Sequence, residues 1–121
     1  MTLETCYQQL GGSYSEVRAR IPSDALIKKF VAAFLKDTSF SDLCGAMDAS
    51  DRTTAFRAAH TLKGVCANMG FEKLRSSSSE LAERLRNESD TIPAEAFSLL
   101  ADVKSDYQRT VDAISAFLSE E

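Results

Sequence analysis

Apolar residues recur every three or four positions along almost the whole chain, and this period constrains the fold more than any other feature. Leu3, Tyr7 and Leu10 mark a first short helix that Gly11-Gly12 ends, and Tyr14, Val17 and Ile21 mark a second. After Pro22, Ser23 is a candidate N-cap for a helix over Asp24–Lys36. Its apolar residues Leu26, Ile27, Phe30, Val31, Phe34 and Leu35 form a wide face of the kind a core helix needs. Phe40, Leu43 and Met47 suggest a short helix over Ser41–Ala49. Ser50 or Asp51 then caps a longer helix reaching about Met69, closed by Gly70. Phe71, Leu74, Ser78, Leu81 and Leu85 space the next helix, with the serine run Ser76–Ser79 inside its period as small residues that pack closely or face water. A connection over Asn87–Ile92 follows. Pro93 fits a first helical turn, and Phe97, Leu100, Tyr107, Val111, Ile114 and Leu118 carry the last helix. Only two prolines and five glycines interrupt the chain, and no segment alternates apolar and polar residues as a half-buried strand does.

The fold class is therefore all-α. Four longer helices with short connections predict an antiparallel up-and-down four-helix bundle, with the short N-terminal helices and the short helix before Ser50 covering its ends or sides. The 121 residues, 44% hydrophobic, suffice for one core and one domain spanning residues 1–121.

Composition removes several classes of function. A formal net charge of −4 argues against nucleic acid, whose phosphate backbone requires a basic face. One histidine leaves no multi-histidine haem or zinc site, and no metal site is expected. Cys6, Cys44 and Cys66 are widely spaced and odd in number, which suggests reduced thiols in a reducing compartment rather than a disulfide framework. The first residues, MTLETCYQQL, lack the basic flank and apolar stretch of a signal peptide, and no apolar run reaches the ~18 residues of a membrane span. The expectation is a cytoplasmic monomer without membrane attachment.

The segment around the single histidine carries the chemistry. With Phe56 set at zero on a helix of about 100° per residue, the core arc holds Phe56, Ala59, Leu62, Val65, Cys66 and Met69 and centres at about 260°. His60 falls at about 40°, Lys63 at about 340°, Gly64 at about 80° and Ala67 at about 20°. One exposed stripe thus holds an imidazole, an ammonium one turn on, and two residues almost without side chains. Gly64 lies mid-helix, where glycine costs about 1 kcal/mol relative to alanine. Beside the lone histidine, this points to a large partner approaching the ring. Neutral imidazole is a nucleophile that can carry a covalent intermediate. A nearby ammonium suits phosphoryl transfer, which depends chiefly on positioning and electrostatics. Read without further context, the same stripe also admits an ordinary surface histidine.

Ala59-His60-Thr61-Leu62-Lys63-Gly64, preceded by Ala58 and followed by Ala67-Asn68-Met69-Gly70, resembles the signature of histidine-containing phosphotransfer (HPt) domains. The similarity extends to a helix like Ser23–Lys36 before the motif and two long helices after it, leaving about the first ten residues uninformative. The resemblance implies that His60 is the phosphoacceptor, that Lys63 neutralises phosphoryl charge, that Gly64 and Ala67 give a partner access, and that Gly70 is structural. It implies a carrier without kinase activity or cofactor of its own. The carrier exchanges phosphoryl groups with aspartates of response-regulator receiver domains or hybrid sensor kinases, the receiver supplying Mg²⁺. Some members carry a further polar residue on the next helix. Ser79, Ala82, Glu83 and Arg86 lie in that region here, and Arg86 is the candidate for added positive charge.

Three other readings compete. A helical interaction module without phosphoryl chemistry is disfavoured by the retained His60, Lys63 and Gly64. The dimerising region of a sensor kinase commonly has an acidic residue after its histidine, where Thr61 stands here. A chemotaxis-type kinase domain requires a longer chain. Cys66 reads as packing, Lys28 and Lys29 as a solvated face, and Glu120-Glu121 as a frayed end. Tyr14–Ile21 reads equally as a lid on the bundle or as part of a partner surface.

Overall fold

Short polar side chains set where four of the described helices begin. In the computed structural model, which describes residues 1–86 and 89–120, Thr2, Ser13, Ser23 and Asp51 each accept a hydrogen bond from the backbone N–H three residues on, meeting one of the unpaired donors at a helix start. Among the described residues the chain forms seven α-helices and no strand. They are α1 (Leu3–Leu10), α2 (Tyr14–Arg20), α3 (Asp24–Phe34), α4 (Ser39–Asp48), α5 (Arg52–Met69), α6 (Glu72–Leu85) and α7 (Glu95–Ser119). Gly11 and Gly70 end α1 and α5 in the left-handed conformation, with φ of 78° and 72°.

Asp51, one of the two expected candidates, caps α5, and Ser50 takes φ 57° in the turn before it. The start of α7 differs from expectation. Pro93 lies ahead of α7, whose N-cap is Ala94, so it stands before the first turn rather than in it. The expected connection 87–92 falls partly outside the described residues.

The larger correction concerns which helices pack most. α5 lies between α4 and α6, α6 packs on α7, and α1 packs on α7. α3 makes lighter contacts with α2, α5 and α7. Only its Ile27–Val31–Phe34 stripe is buried, while Leu26, Phe30 and Leu35 remain 47%, 45% and 37% exposed. The wide apolar face expected for the core is thus split, half inward and half on the surface. The shorter α4 instead contributes Leu43, Ala46 and Met47 to the core. Single-sequence periodicity registers apolar residues but not whether a neighbour covers them.

An aromatic chain ties these elements together at one end. Phe34 meets Phe71 edge-on at 5.1 Å and Tyr107 at 5.9 Å, Tyr107 stacks on Phe40 at 3.8 Å, and Tyr7 lies 5.7 Å from Phe71. The serines split as their spacing allows: Ser77 and Ser78 are buried, Ser76 is exposed.

α5 is held at both ends. At its start, the Arg52 guanidinium donates to the Leu85 carbonyl at 2.7 Å, joining the beginning of α5 to the end of α6. Since Gly70-Phe71 alone connects the two helices at the other end, they run antiparallel. There, Tyr7 Oη donates to Met69 O at 2.7 Å, and Arg20 donates to Ala67 O at 2.7 Å and Asn68 O at 3.2 Å. A guanidinium on these last carbonyls also complements the negative end of the helix dipole. Gly12 fits against this corner because an added Cβ would come within 2.6 Å of Gly70 O.

Candidate functional site

The inward face of α5 is built from Ala55, Ala58, Ala59, Leu62, Cys66 and Met69. The small alanines let α4 and α6 lie close, and the opposite side faces outward. His60 is exposed on that outward side, as its angular position predicts. Gly64 is exposed one turn on, and Lys63 and Ala67 are half-buried beside it. A Cβ built on Gly64 would meet nothing within 4 Å. The missing side chain therefore does not serve packing within this domain. Gly64 leaves an opening beside the imidazole.

Charge around the ring is positive or neutral on its own helix. Among the described residues the Lys63 ammonium makes no ion pair, which leaves it available to an anion. The same set of residues contains no cluster of His, Cys, Asp and Glu able to hold a metal ion. Cys66 is fully buried next to Leu62 in this helix, and burial pushes its thiol up to about 12. It packs rather than reacts, as the sequence suggests.

Arg86 comes to the site through a residue that sequence reasoning assigned to the core. Phe56 is half-buried, and its ring stacks on the His60 imidazole at a centroid distance of 5.9 Å with 26° between planes. The Arg86 guanidinium lies over the same ring, 5.0 Å from its centroid. Arg86 also makes an exposed 3.5 Å ion pair with Glu83. The signal for Phe56 was present: it precedes His60 by four residues, the spacing at which helical side chains meet. Its angle at the edge of the apolar arc points to the core, against which it does pack while one side of the ring meets His60.

A second feature was missed. His60, Gly64 and Asn68 share one face of α5 by their four-residue spacing. Asn68 and Val65 border an open groove whose other wall is Phe30 and Ala33 of α3. The exposed half of α3 thus adjoins the far end of the histidine stripe.

Comparison with known families matches the Hpt domain model to residues 26–116. The matched span takes in most of α3, all of α4, α5 and α6 and most of α7, and leaves α1 and α2 outside. No curated protein and no solved structure matched the chain. No helix among the described residues is long and apolar enough to cross a membrane. With the described residues all in helices or their connections and the family model covering well over half the chain, this chain belongs to the Hpt domain family.

Proposed function

We propose that the protein is a phosphoryl carrier of a two-component phosphorelay, accepting and donating the group on His60. The observation that carries this reading is the exposed imidazole beside Gly64, where the backbone is open to an approaching partner. In the forward step, a lone pair on an imidazole nitrogen attacks the phosphorus of a receiver's aspartyl phosphate. The N–P bond forms, the P–O bond to the aspartate breaks, and its electron pair leaves with the carboxylate. The other ring nitrogen keeps its proton. The reverse step returns the group to an aspartate.

The residues around His60 have distinct tasks in this scheme. Lys63 neutralises charge on the transferring group, and Arg86 adds a second cation. Gly64 and Ala67 admit the receiver. Leu26 and Phe30 on α3, with Val65 at the groove, give that receiver apolar surface to bury. The receiver or hybrid kinase brings Mg²⁺ and the remaining catalytic groups, so the carrier has no kinase activity and no cofactor. The domain acts as a cytoplasmic monomer, with α4, α5, α6 and α7 as the principal members of an antiparallel bundle.

The test is transfer from a ³²P-labelled phospho-receiver to the wild type and to His60→Gln. Acid-labile, base-stable label on the wild type alone is the expected result. Label retained by His60→Gln would reject the assignment. Wild type that stays unlabelled by several phospho-receivers would favour the interaction-module reading instead.

A further inference from the structure

We propose that Phe56 is a positioning residue for phosphoryl chemistry at His60, orienting the imidazole and holding the Arg86 guanidinium beside it. The inference rests on His60 being the phosphoacceptor and adds the device that prepares it.

An exposed histidine on a helix ordinarily samples several rotamers, and ordering it costs conformational entropy. Here one partner reduces that freedom. Phe56 is anchored by its half-buried position against the core, and its ring lies nearly parallel to the imidazole at 5.9 Å. The same ring carries the Arg86 guanidinium at 5.0 Å. The base of Arg86 is fixed as well. Its backbone N–H donates to Ala82 O and Glu83 O, closing α6, and the preceding residue, Leu85, accepts from Arg52 of α5. One aromatic ring therefore meets the nucleophile from its own helix and a cation from the next.

The consequence appears when a phosphoryl dianion sits on the imidazole. The guanidinium then needs only a local rearrangement from the ring face and from its weak, exposed pairing with Glu83 to reach the new charge. Without the aromatic platform, both side chains must be ordered at the moment of reaction. Stacking and cation–π contacts of this kind correspond to about a three- to tenfold effect.

A small donor separates this from partner docking. With phosphoramidate, the imidazole nitrogen attacks phosphorus, the P–N bond breaks, and ammonia leaves with its electron pair. The experiment compares wild type, Phe56→Leu, Phe56→Tyr and Arg86→Ala for labelling rate, phosphohistidine half-life, and NMR shifts of the imidazole protons. Phe56→Leu should label about three- to tenfold more slowly, lose the ring-current shift at His60 and shorten the half-life. Phe56→Tyr, which keeps the ring, should restore all three. The Phe56→Leu and Arg86→Ala effects on half-life should not add, because one acts through the other. Unchanged rate, half-life and shift in a folded Phe56→Leu protein would overturn the proposal. If Phe56→Leu does not fold, the wild type decides: absence of a ring-current shift and of a Phe56–His60 nuclear Overhauser effect overturns it, and their presence with a shortened half-life in Arg86→Ala supports it. Failure of the phosphoacceptor reading looks different, since His60→Gln would then label as well as wild type while the wild type still showed the stacking signals.

Discussion

Replacing Gly64 by alanine separates what this glycine does for the fold from what it does for the partner. Glycine inside a helix is less favourable than alanine by about 1 kcal/mol. A Cβ at this position meets nothing within 4 Å, so no clash offsets the gain. The isolated domain should therefore become more stable by about 1 kcal/mol, roughly a fivefold change in the folding equilibrium. For a chain of 121 residues this corresponds to about 4 °C in Tm. On the proposed function, the added methyl nevertheless stands one turn from His60, in the path of an incoming receiver. Phosphoryl transfer requires reacting atoms within about 3–3.5 Å, and a misplacement of about 1 Å costs on the order of a hundredfold. Transfer from a phospho-receiver should thus fall by ten- to a hundredfold while labelling by phosphoramidate stays at the wild-type rate. Urea and thermal denaturation followed by circular dichroism give the first quantity, and single-turnover transfer the second. A stability loss would mean that Gly64 serves packing. A stability gain with undiminished receiver transfer would remove the access argument.

Three further expectations follow from residues away from the histidine. The Ser78 hydroxyl is fully buried and has no partner among the described residues, so Ser78→Ala should leave stability unchanged or raise it by about 1 kcal/mol; a lower urea midpoint would refute this. The hydroxyl and backbone N–H of Thr54 hold the Asp51 carboxyl below its ordinary range. A depressed carboxyl contributes stability above its unfolded value of about 3.9 and loses it as pH falls through the folded value, so Asp51→Asn should flatten the decline in Tm below about pH 4, and parallel declines would count against the cap. Burial pushes the Cys6 thiol up to about 11 and that of Cys66 to about 12, whereas Cys44 is only half-buried. Iodoacetamide at mildly alkaline pH should modify Cys44 first by mass spectrometry, and comparable modification of Cys6 or Cys66 would refute the burial argument.

Local chemistry made much of the helix plan legible in advance. The caps at Ser23 and Gly70, the two short leading helices and the long final one follow from short-range rules, because an N-cap hydrogen bond or a left-handed glycine is satisfied within a few residues. The exposed placement of His60 was equally accessible, since a helix of known period with one apolar side fixes the opposite side. The role of α3 was not. Leu26 and Phe30 are apolar, as Ile27 and Val31 are, and only the packing of other helices decides which pair is covered.

The sequence by itself thus determined an all-helical chain, the limits of most helices, and an outward-facing histidine with a lysine and a glycine one turn away. Tertiary structure alone decided that α4 packs more closely on α5 than α3 does, that Gly64 opens onto free space, and that Arg86 reaches the site over Phe56. The division has a physical origin. Helix period and capping are satisfied within a few residues, whereas burial and contacts between helices depend on residues tens of positions apart meeting in space.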